Sequence, residues 1–176
     1  GSTDNTFQIA KGFELKDSRF RVLKQPNSGK YSALNLGIKE AKYDFIGTVD
    51  SDSYFHKESV KKIMHYFSDS SLQVVVSSVV ISNPKNILEG LQYIEYAIGN
   101  FMRKIFSFVD SISVVPGPLS IFKKEVFEQL GGFRKAHQVE DMEIALRMQR
   151  NNYKIAHAMD AIVYTDGCKT LKELFL

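Results

Sequence analysis

Two kinds of hydrophobic pattern alternate along this chain. Apolar residues three and four positions apart are typical of helices that bury one face, whereas short β-branched or aromatic runs are typical of strands. We therefore expect helices at residues 6–16, 29–42, 57–67, 86–108, 123–130 and 139–151, with a further helix over 169–176. We expect extended segments at residues 20–23, 44–49, 72–81, 111–115, 120–122, 153–158 and 161–164.

The order of these elements predicts the fold class. Alternating helices and strands are typical of an α/β protein whose mixed, mainly parallel sheet carries helices on both faces. The 176 residues are enough for one such Rossmann-like domain, and no internal repeat argues for a second domain. Ligands of such sheets bind at the carboxyl ends of the strands, so functional side chains are expected there.

The segment 86–108 has the longest regular apolar spacing in the chain. Its apolar residues recur at helical intervals and define one stripe, which consists of Ile87, Leu91, Ile94, Ile98, Met102 and Ile105. Ordinary core packing is the interpretation that we favour for this stripe. Contact with a membrane surface is the alternative.

Composition excludes several function classes. The 23 basic and 20 acidic residues are interspersed, and this balance argues against a nucleic-acid partner. The single cysteine, Cys168, cannot form an internal disulfide and fits a reducing compartment. The four histidines lack the spacing of zinc ligands.

The chain as given is expected to be soluble. No stretch approaches the roughly 18 apolar residues of a membrane span, and the first residues lack the pattern of a signal peptide. The chain begins without an initiator Met and stops inside an apparent helix, so we interpret it as cut from a longer protein. Gly1-Ser2 is also typical of a cloning scar.

The tripeptide Asp50-Ser51-Asp52 follows the predicted strand 44–49 directly. In an extended chain, residues i and i+2 point to the same side, so both carboxylates could reach one ion. Carboxylate oxygens suit Mg²⁺ or Mn²⁺, which proteins commonly hold with one or two carboxylates and the phosphate oxygens of a substrate. An acidic turn that caps the next helix is the alternative interpretation.

Several short motifs, taken together and in order, resemble glycosyltransferase family 2. The pieces that carry the resemblance are Gly1-Ser2-Thr3-Asp4-Asn5-Thr6, Asn27-Ser28-Gly29-Lys30 with Ala33-Leu34-Asn35, Asp50-Ser51-Asp52, Gln92 with Glu95-Tyr96, Pro116-Gly117, Gly131-Gly132-Phe133, Glu140-Asp141 and Tyr164-Thr165. Each piece alone is weak, but their order along nearly the whole chain is specific. The family has the GT-A fold and includes cellulose, chitin, hyaluronan and poly-N-acetylglucosamine synthases.

The resemblance implies inverting transfer of a sugar from a nucleotide-sugar donor, of which a UDP-sugar is expected, to a saccharide or lipid-linked hydroxyl. In that reaction a Mg²⁺ or Mn²⁺ held by Asp50 and Asp52 would neutralise the departing diphosphate. Lys30, at a helix start, would add positive charge near the nucleotide, although a solvated surface lysine is the alternative. The resemblance also places Asp50, Glu140 and Gly117 in the substrate-binding site.

Asp141 is the candidate general base. It shares a helical face with Ile144, Ala145 and Met148, so its carboxylate lies along the stripe expected to pack inward, whereas Glu143 should turn away. A carboxylate in a first helical turn could instead only complement the helix dipole. The resemblance favours the catalytic role, because the aspartate of the family's Glu-Asp pair is its base, with Glu140 as the next candidate.

Two departures from the family pattern bear on activity. The family's first strand with its Asp-Asp pair is missing, and so is the Gln-x-x-Arg-Trp motif of processive members; Cys168 stands where proline is usual. We therefore expect an incomplete catalytic domain, a parent protein at the cytoplasmic face of the cell membrane, and homodimers formed through exposed sheet edges. The rival interpretations are a non-processive enzyme acting on lipid or protein, and an inactive binding or structural module.

Overall fold

The computed structural model describes residues 1–135 and 140–174. In chain order its elements are α1 (Thr6–Lys16), α2 (Lys30–Glu40), β1 (Phe45–Thr48), β2 (Ser53–Phe55), α3 (Ser59–Tyr66), β3 (Leu72–Ile81), α4 (Ile87–Ser107), β4 (Ser120–Lys123), α5 (Lys124–Leu130), α6 (Glu140–Arg150), β5 (Lys154–Thr165) and α7 (Leu171–Leu174). The helices predicted from apolar spacing are present with ends shifted by a few residues. Val139, the predicted start of α6, and residues 175–176 of the predicted terminal helix lie outside the described residues.

One mixed sheet of five strands, in the order β1-β4-β3-β5-β2, organises the molecule. The long pair β3–β5 is parallel, whereas β1–β4, β3–β4 and β2–β5 are antiparallel. The predicted mixed α/β class is confirmed, but antiparallel pairs outnumber the parallel one among the described strands. The reason is local: β4 and β2 are short strands that run against the two long central ones.

The extended segments differ from prediction in four places, one of which is strand β2, Ser53–Phe55, where no extended segment was predicted. Segments 153–158 and 161–164 are two halves of the single strand β5, interrupted where its pairing with β3 shifts register after Ser77. Segments 20–23 and 111–115 form no strand, because main-chain amides in them donate to groups that do not belong to a neighbouring strand. The amide of Val22 donates to the Glu14 side chain, and that of Val115 donates to the Asp141 carbonyl.

Apolar side chains pack on both faces of the sheet, as predicted. On one face, α2, α5 and α6 cover the inward side chains of β3 and β4; the fully buried members of this layer are Val74, Val76, Phe122, Val126, Ala145 and Met148. On the other face, Ile63 of α3 packs against Val75 and Val163. The stripe of α6 predicted to face inward is buried through Ile144, Ala145 and Met148, and Glu140 and Asp141 lie in the first turn of this helix.

The orientation of α4 is opposite to the one predicted. All six residues of its apolar stripe are exposed, by 40% for Met102 to 84% for Ile87. The buried residues of the helix are polar, namely Glu89, Gln92 and Asn100. The Asn100 amide exchanges two hydrogen bonds with the main chain of Val79 in β3, which fixes the polar face against the sheet. Across residues 1–135 and 140–174, no helix combines the length and apolarity that a membrane crossing requires.

Candidate functional site

The acidic tripeptide lies on a turn and not on a continuing strand. β1 ends at Thr48, and the amide of Ser53 donates to the carbonyl of Asp50 at 3.1 Å, which closes a turn into β2. The expectation that strand alternation aligns the two carboxylates is therefore wrong, although Asp50 and Asp52 do line the same cavity. The alternative of a helix cap is also wrong, because α3 begins later, after Glu58, whose side chain caps nothing.

Lys30 is the positive centre of the site. Gly29 precedes it with φ of 90°, a conformation that favours glycine, and so allows a sharp entry into α2. The Lys30 ammonium lies 2.8 Å from Asp50 Oδ1 and 3.7 Å from Glu140 Oε1. Lys30, whose side chain is 43% exposed, is thus paired with two of the predicted site carboxylates.

The segment from Pro116 to Ser120 passes beneath this charged pair. The Ser120 hydroxyl donates to the Pro116 carbonyl at 2.6 Å, and the Ser77 hydroxyl donates to the Pro118 carbonyl at 3.0 Å. A β-carbon on Gly117 would lie 2.5 Å from Asp50 Oδ2 and 2.9 Å from Lys30 Nζ. A side chain at this position would displace the Asp50 carboxylate and the Lys30 ammonium, so glycine in the Pro-Gly motif preserves their pairing.

Asp141 is anchored to that same segment. Its Oδ2 accepts a hydrogen bond of 2.9 Å from the Gly117 amide, and its main-chain carbonyl accepts one from Val115. The first turn of α6 therefore carries Glu140 toward Lys30 and Asp141 toward Gly117. Glu143 turns away and pairs with Arg147 at 2.9 Å, as predicted.

Burial and charge set the protonation of the site. Burial raises the pKa of Asp141 above its ordinary value, and the negative charges of Glu140 and Asp50 add to this against the opposing effect of Lys30. Burial alone would lower the pKa of Lys30, but its hydrogen bond to Asp50 and the charges of Asp141 and Glu140 outweigh it and raise the pKa. The site therefore holds a firmly charged ammonium beside a carboxylate with increased affinity for a proton.

A cavity of about 820 Å³ opens between α2, β1 and the acidic turn. Its volume lies in the upper part of the range of roughly 300–1,000 Å³ that is typical of small-molecule sites. The floor is apolar, with Leu34, Ile38 and Ile46, and one end is charged, with Lys30 and the two aspartates. Such a division suits a ligand with a ring system at one end and a charged group at the other.

The donor atoms suit a hard divalent cation. Among residues 1–135 and 140–174, no three or more acidic, histidine or cysteine side chains converge as a metal cage. Two aspartates of one turn at one cavity are the donor set by which proteins commonly hold Mg²⁺ or Mn²⁺ together with the phosphate oxygens of a substrate. Asp50 and Asp52 therefore fit such an ion, with the remaining ligands supplied from outside the chain.

Other motif residues hold the fold around the site. The Asn35 amide exchanges two hydrogen bonds of 2.8 Å with the main chain of Phe133, and Gly132 lies against it so closely that a β-carbon would overlap. The Gln92 side chain likewise exchanges two bonds of 2.9 Å with the main chain of Cys168. These motifs are structural, and they tie distant segments of the chain to α2 and α4.

The inner face of α4 was not recognised from the sequence. Gln92, Tyr96, Asn100 and Arg103 recur at intervals of four, four and three residues, which is a helical spacing of polar groups opposite the apolar stripe. Tyr96, Asn100 and Arg103 line a second cavity of about 350 Å³ that reaches Gly117 and Asp141. The periodic polar face was the signal that could have revealed it.

Comparison with known proteins agrees with this arrangement. The family described as Glycosyl transferase family 2 matches residues 1–131. A poly-beta-1,6-N-acetyl-D-glucosamine synthase from Staphylococcus aureus is 27% identical over 159 residues, which are 89% of this chain and 39% of that protein. The corresponding synthase from Staphylococcus epidermidis is 28% identical over 166 residues, covering 93% of this chain and 40% of that protein. The chain thus spans about two fifths of the length of these relatives.

Solved structures share the fold. The mannosyltransferase PcManGT from Pyrobaculum calidifontis, in complex with GDP-Man and Mn²⁺, superposes with a TM-score of 0.77 at 19% identity over 97% of this chain and 47% of that one. The S. aureus protein TarS 1-349, in complex with UDP-GlcNAc, superposes with a TM-score of 0.67 at 19% identity over 99% of this chain and 50% of that one. At this identity the likeness establishes the architecture.

Proposed function

This chain belongs to glycosyl transferase family 2, and we propose that it carries out metal-dependent, inverting transfer of a sugar from a nucleotide-sugar to a hydroxyl acceptor. The observation that carries the proposal is the convergence of Lys30, Asp50, Gly117 and Asp141 from four separate segments of the chain. With Asp52, which lines the same cavity as Asp50, they supply a cationic group, two candidate metal ligands and one anchored carboxylate, the groups that such a transfer requires.

In the proposed reaction the acceptor oxygen attacks the anomeric carbon from the side opposite the diphosphate. As the new carbon–oxygen bond forms, the bond to the diphosphate oxygen breaks and its electron pair leaves with the diphosphate. Asp141 accepts the proton of the attacking hydroxyl, and its raised pKa favours that role because a general base works best with a pKa nearer the operating pH. One displacement inverts the anomeric configuration without a nucleophile on the enzyme.

The leaving diphosphate needs positive charge. Lys30 is charged throughout the neutral range and is positioned by Asp50 and Glu140 at the end of the large cavity. Asp50 and Asp52 would hold a Mg²⁺ or Mn²⁺ ion, which when bound supplies further charge stabilisation to the leaving group. Gly117 has no side chain to occupy the space between Asp50 and Asp141.

For the donor we propose a UDP-sugar, with N-acetylglucosamine as the first sugar to test. The curated relatives are named as poly-beta-1,6-N-acetyl-D-glucosamine synthases, and one structural neighbour holds UDP-GlcNAc. The other neighbour holds GDP-Man, so GDP-mannose is the matched alternative donor. The proposed acceptor is a growing saccharide, and a lipid or protein hydroxyl is the alternative.

We also propose that the parent protein works at the cytoplasmic face of a membrane, in polysaccharide synthesis, and that copies of the chain associate through sheet edges. The edges are β1 and β2, with four and three residues. Edges this short offer few unpaired main-chain groups, so weak association is expected.

Calorimetry with UDP and Mn²⁺ tests the metal and donor roles. Asp52→Asn should abolish the Mn²⁺-dependent part of UDP binding while leaving the melting temperature unchanged, because Asp52 is exposed and its one side-chain bond is to Ser53. Asp160→Asn is the matched control, since Asp160 is another exposed aspartate that lines no part of the large cavity. It should bind UDP like the wild type.

Two results would contradict the proposal. Equal UDP affinity with and without Mn²⁺ in the wild type would remove the metal role. No binding of UDP or GDP by the folded chain, with or without the ion, would favour the binding or structural module.

A further inference from the structure

A further cavity, of about 520 Å³, lies along α6 on the side that carries the last turn's exposed residues. We call it the outer cavity, and its lining consists of Arg134, Glu143, Leu146, Arg147, Gln149 and Arg150. None of these residues lines the large cavity or the second cavity, and neither Glu140 nor Asp141 lines the outer one. Its volume lies within the range of roughly 300–1,000 Å³ that is typical of small-molecule sites. The outer cavity is therefore a separate space that the candidate site does not account for.

The lining of the outer cavity is positively charged. Three guanidinium groups and one carboxylate line it, so the net charge of these side chains is +2. The carboxylate, Glu143, lies 2.9 Å from Arg147 and 3.9 Å from Arg134. Among the residues that the structure describes, Arg150 makes no ion pair. One acidic group is thus shared by two arginines, and the third arginine has no acidic partner in the described part of the chain.

Arg147 is the most firmly held of the three arginines. Its side chain is 10% exposed, and its two terminal nitrogens donate to the carbonyls of Leu130 and Gly132 and to the carboxylate of Glu143. Its third nitrogen, Nε, is buried and donates to no group in the described part of the chain. A buried donor without an acceptor is unfavourable, so an oxygen brought by a ligand would stabilise this guanidinium.

Position on the helix does not explain the whole cluster. Arg147 and Arg150 lie in the last turn of α6, where positive charge also favours the helix dipole. That role leaves out Arg134, which precedes the helix, and it leaves the buried Nε without an acceptor. A ligand that accepts hydrogen bonds accounts for both observations.

The charge and size of the outer cavity indicate the class of ligand. Guanidinium groups bind phosphate oxygens through two parallel hydrogen bonds, and each also supplies a full positive charge. A phosphate ester carries up to about two negative charges near neutral pH, which matches the net charge of the lining. The cavity is larger than one phosphate group requires, and Leu146, which is 44% exposed, adds an apolar wall. These properties favour a phosphate ester or a diphosphate over a simple monovalent anion.

We propose that the outer cavity is a second anion site, which binds a phosphate ester or a diphosphate between Arg134, Arg147 and Arg150. The site needs no divalent cation, because the arginines supply the positive charge. Bound phosphate competes with Glu143 for Arg134 and Arg147, since both ligands accept from the same guanidinium groups. Glu143 lies in the first turn of α6 together with Asp141, so an occupied site changes the contacts of the helix that carries the candidate base. A soluble diphosphate and the headgroup of an anionic lipid share this chemistry.

The first experiment is a calorimetric titration with inorganic pyrophosphate, at low ionic strength and with a chelator that removes divalent cations. The wild type should bind pyrophosphate. Arg134→Gln and Arg150→Gln should each weaken binding by about tenfold, because each variant removes one charge-assisted contact. Both side chains are exposed, so both variants should fold. Arg19→Gln is the matched control, because Arg19 is an exposed arginine that lines neither the large, the second nor the outer cavity.

Two further variants determine where the pyrophosphate binds. Glu143→Gln should strengthen binding, because it removes the one carboxylate among the described lining residues of the outer cavity. A merely structural role of this carboxylate would not produce tighter binding. Lys30→Gln should leave the affinity for pyrophosphate within about twofold of the wild type, because Lys30 lines the large cavity and not the outer one.

The second experiment identifies the source of the phosphate. The chain is sedimented with vesicles of phosphatidylcholine that contain phosphatidylglycerol, and vesicles of pure phosphatidylcholine are the control. Binding to the anionic vesicles that pyrophosphate displaces, and that Arg134→Gln weakens, would support the site with a lipid headgroup as its ligand. Pyrophosphate binding without binding to these vesicles would support the site with a soluble phosphate compound as its ligand.

Three results would overturn the anion site. These are no binding of pyrophosphate by the folded wild type, wild-type affinity in both Arg134→Gln and Arg150→Gln, and loss of binding in Lys30→Gln. The site is independent of the proposed function, because its test uses neither a metal ion nor a nucleotide. Failure of UDP binding with Mn²⁺ would therefore leave the anion site standing, and the reverse also holds.

Discussion

At the scale of single residues, the immediate neighbours of the candidate base, Asp141, set its chemical environment. Asp141 receives a main-chain hydrogen bond from Gly117 and is partly shielded from water, while Lys30 binds Asp50 and Glu140 more closely than Asp141. Burial therefore outweighs the lysine's attraction and raises the pKa of Asp141. Asp141 is the candidate base from its helical face and its motif in the sequence, and its role stays a prediction. The sequence could not predict the Gly117 contact, because residues 117 and 141 meet only through the tertiary fold.

We expect Asp141→Asn to lower turnover by a factor on the order of 10² to 10⁴ in an active form of the enzyme, the usual contribution of a general base. Asparagine preserves the acceptor for the Gly117 amide, so donor binding should be nearly unchanged. Steady-state kinetics with a UDP-sugar, alongside UDP calorimetry, measure the two effects separately. Retention of most of the turnover would move the search for the base to Glu140.

His157 is a second residue whose surroundings control its charge. It is fully buried in β5, with Nε2 3.0 Å from the Ser78 hydroxyl. Burial lowers the pKa of His157 to about 4, and the charges of Arg103 and Lys104 contribute to this. The imidazole therefore stays neutral in the folded protein at pH values where the unfolded chain is already protonated.

Stability should consequently fall as the pH drops from 7 toward 4. The unfolded chain gains the proton near pH 6.5 and the folded chain only near pH 4. Linkage then gives a loss of about 2 kcal/mol between pH 7 and pH 5 from this residue. Urea unfolding at several pH values should show a shallower dependence for His157→Gln than for the wild type and for the control His65→Gln, an exposed histidine of α3. If the free energy of unfolding changed with pH to the same extent in all three proteins, His157 would not be the cause of the pH dependence.

At the scale of elements, periodicity predicted the helices better than their orientation. A stripe of apolar residues shows that a helix has two different faces, but it does not show which face meets the sheet. In α4 the polar face packs inward, because the side chains of Asn100 and Gln92 satisfy main-chain groups of Val79 and Cys168. Such paired bonds offset the cost of burying the amides. Nothing in the spacing of apolar residues encodes them.

A pair of charge substitutions tests this orientation. Ile98→Glu should change the free energy of unfolding by less than about 1 kcal/mol, because Ile98 is 58% exposed. Ile63→Glu should destabilise by about 4 kcal/mol or more, because Ile63 is fully buried on the inward face of α3, where a charge would have no partner. Chemical denaturation measures both. Severe destabilisation by Ile98→Glu would instead indicate that the apolar stripe of α4 packs inward, as the pattern predicted.

The sequence predicted strands where β-branched runs are long. It did not correctly predict whether neighbouring strands pair in a parallel or an antiparallel direction. β3 lies in the middle of the sheet, as its run of valines predicts. The expected parallel majority failed because it assumed that every helix between two strands makes a crossover to a parallel neighbour. The short strands β2 and β4 instead run antiparallel to β5 and to β3.

At the scale of the whole molecule, the site is assembled from segments that begin α2, end β1, precede β4 and begin α6. The ordered motifs identified the family and named these segments, because a motif records residue type and order. They could not supply the Lys30–Asp50 ion pair or the division of the space into two cavities. Those features depend on how the sheet brings distant residues together.

The edges of the sheet lead to a prediction about assembly. Static light scattering over a series of concentrations from micromolar upward should show a mass that rises above that of one chain, because β1 and β2 leave main-chain groups unpaired. Gly47→Lys places a charge on β1 and should reduce the association, and the space beside Gly47 accepts a β-carbon. Tyr43→Lys, just outside the strand, is the control. Monomeric wild-type protein, or association that persists in Gly47→Lys, would exclude the β1 edge as the contact.

The pairing of Lys30 with Asp50 has a consequence for the order in which substrates arrive. Three carboxylates, those of Asp50, Glu140 and Asp141, act on this one ammonium, and Asp52 lines the same cavity. A diphosphate that approached the site before a cation would meet repulsion, and a lone dication would meet attraction. We therefore expect the cation to enter first or together with the donor. If the bound cation increases the affinity for the donor by some factor, thermodynamic reciprocity requires that the bound donor increases the affinity for the cation by the same factor.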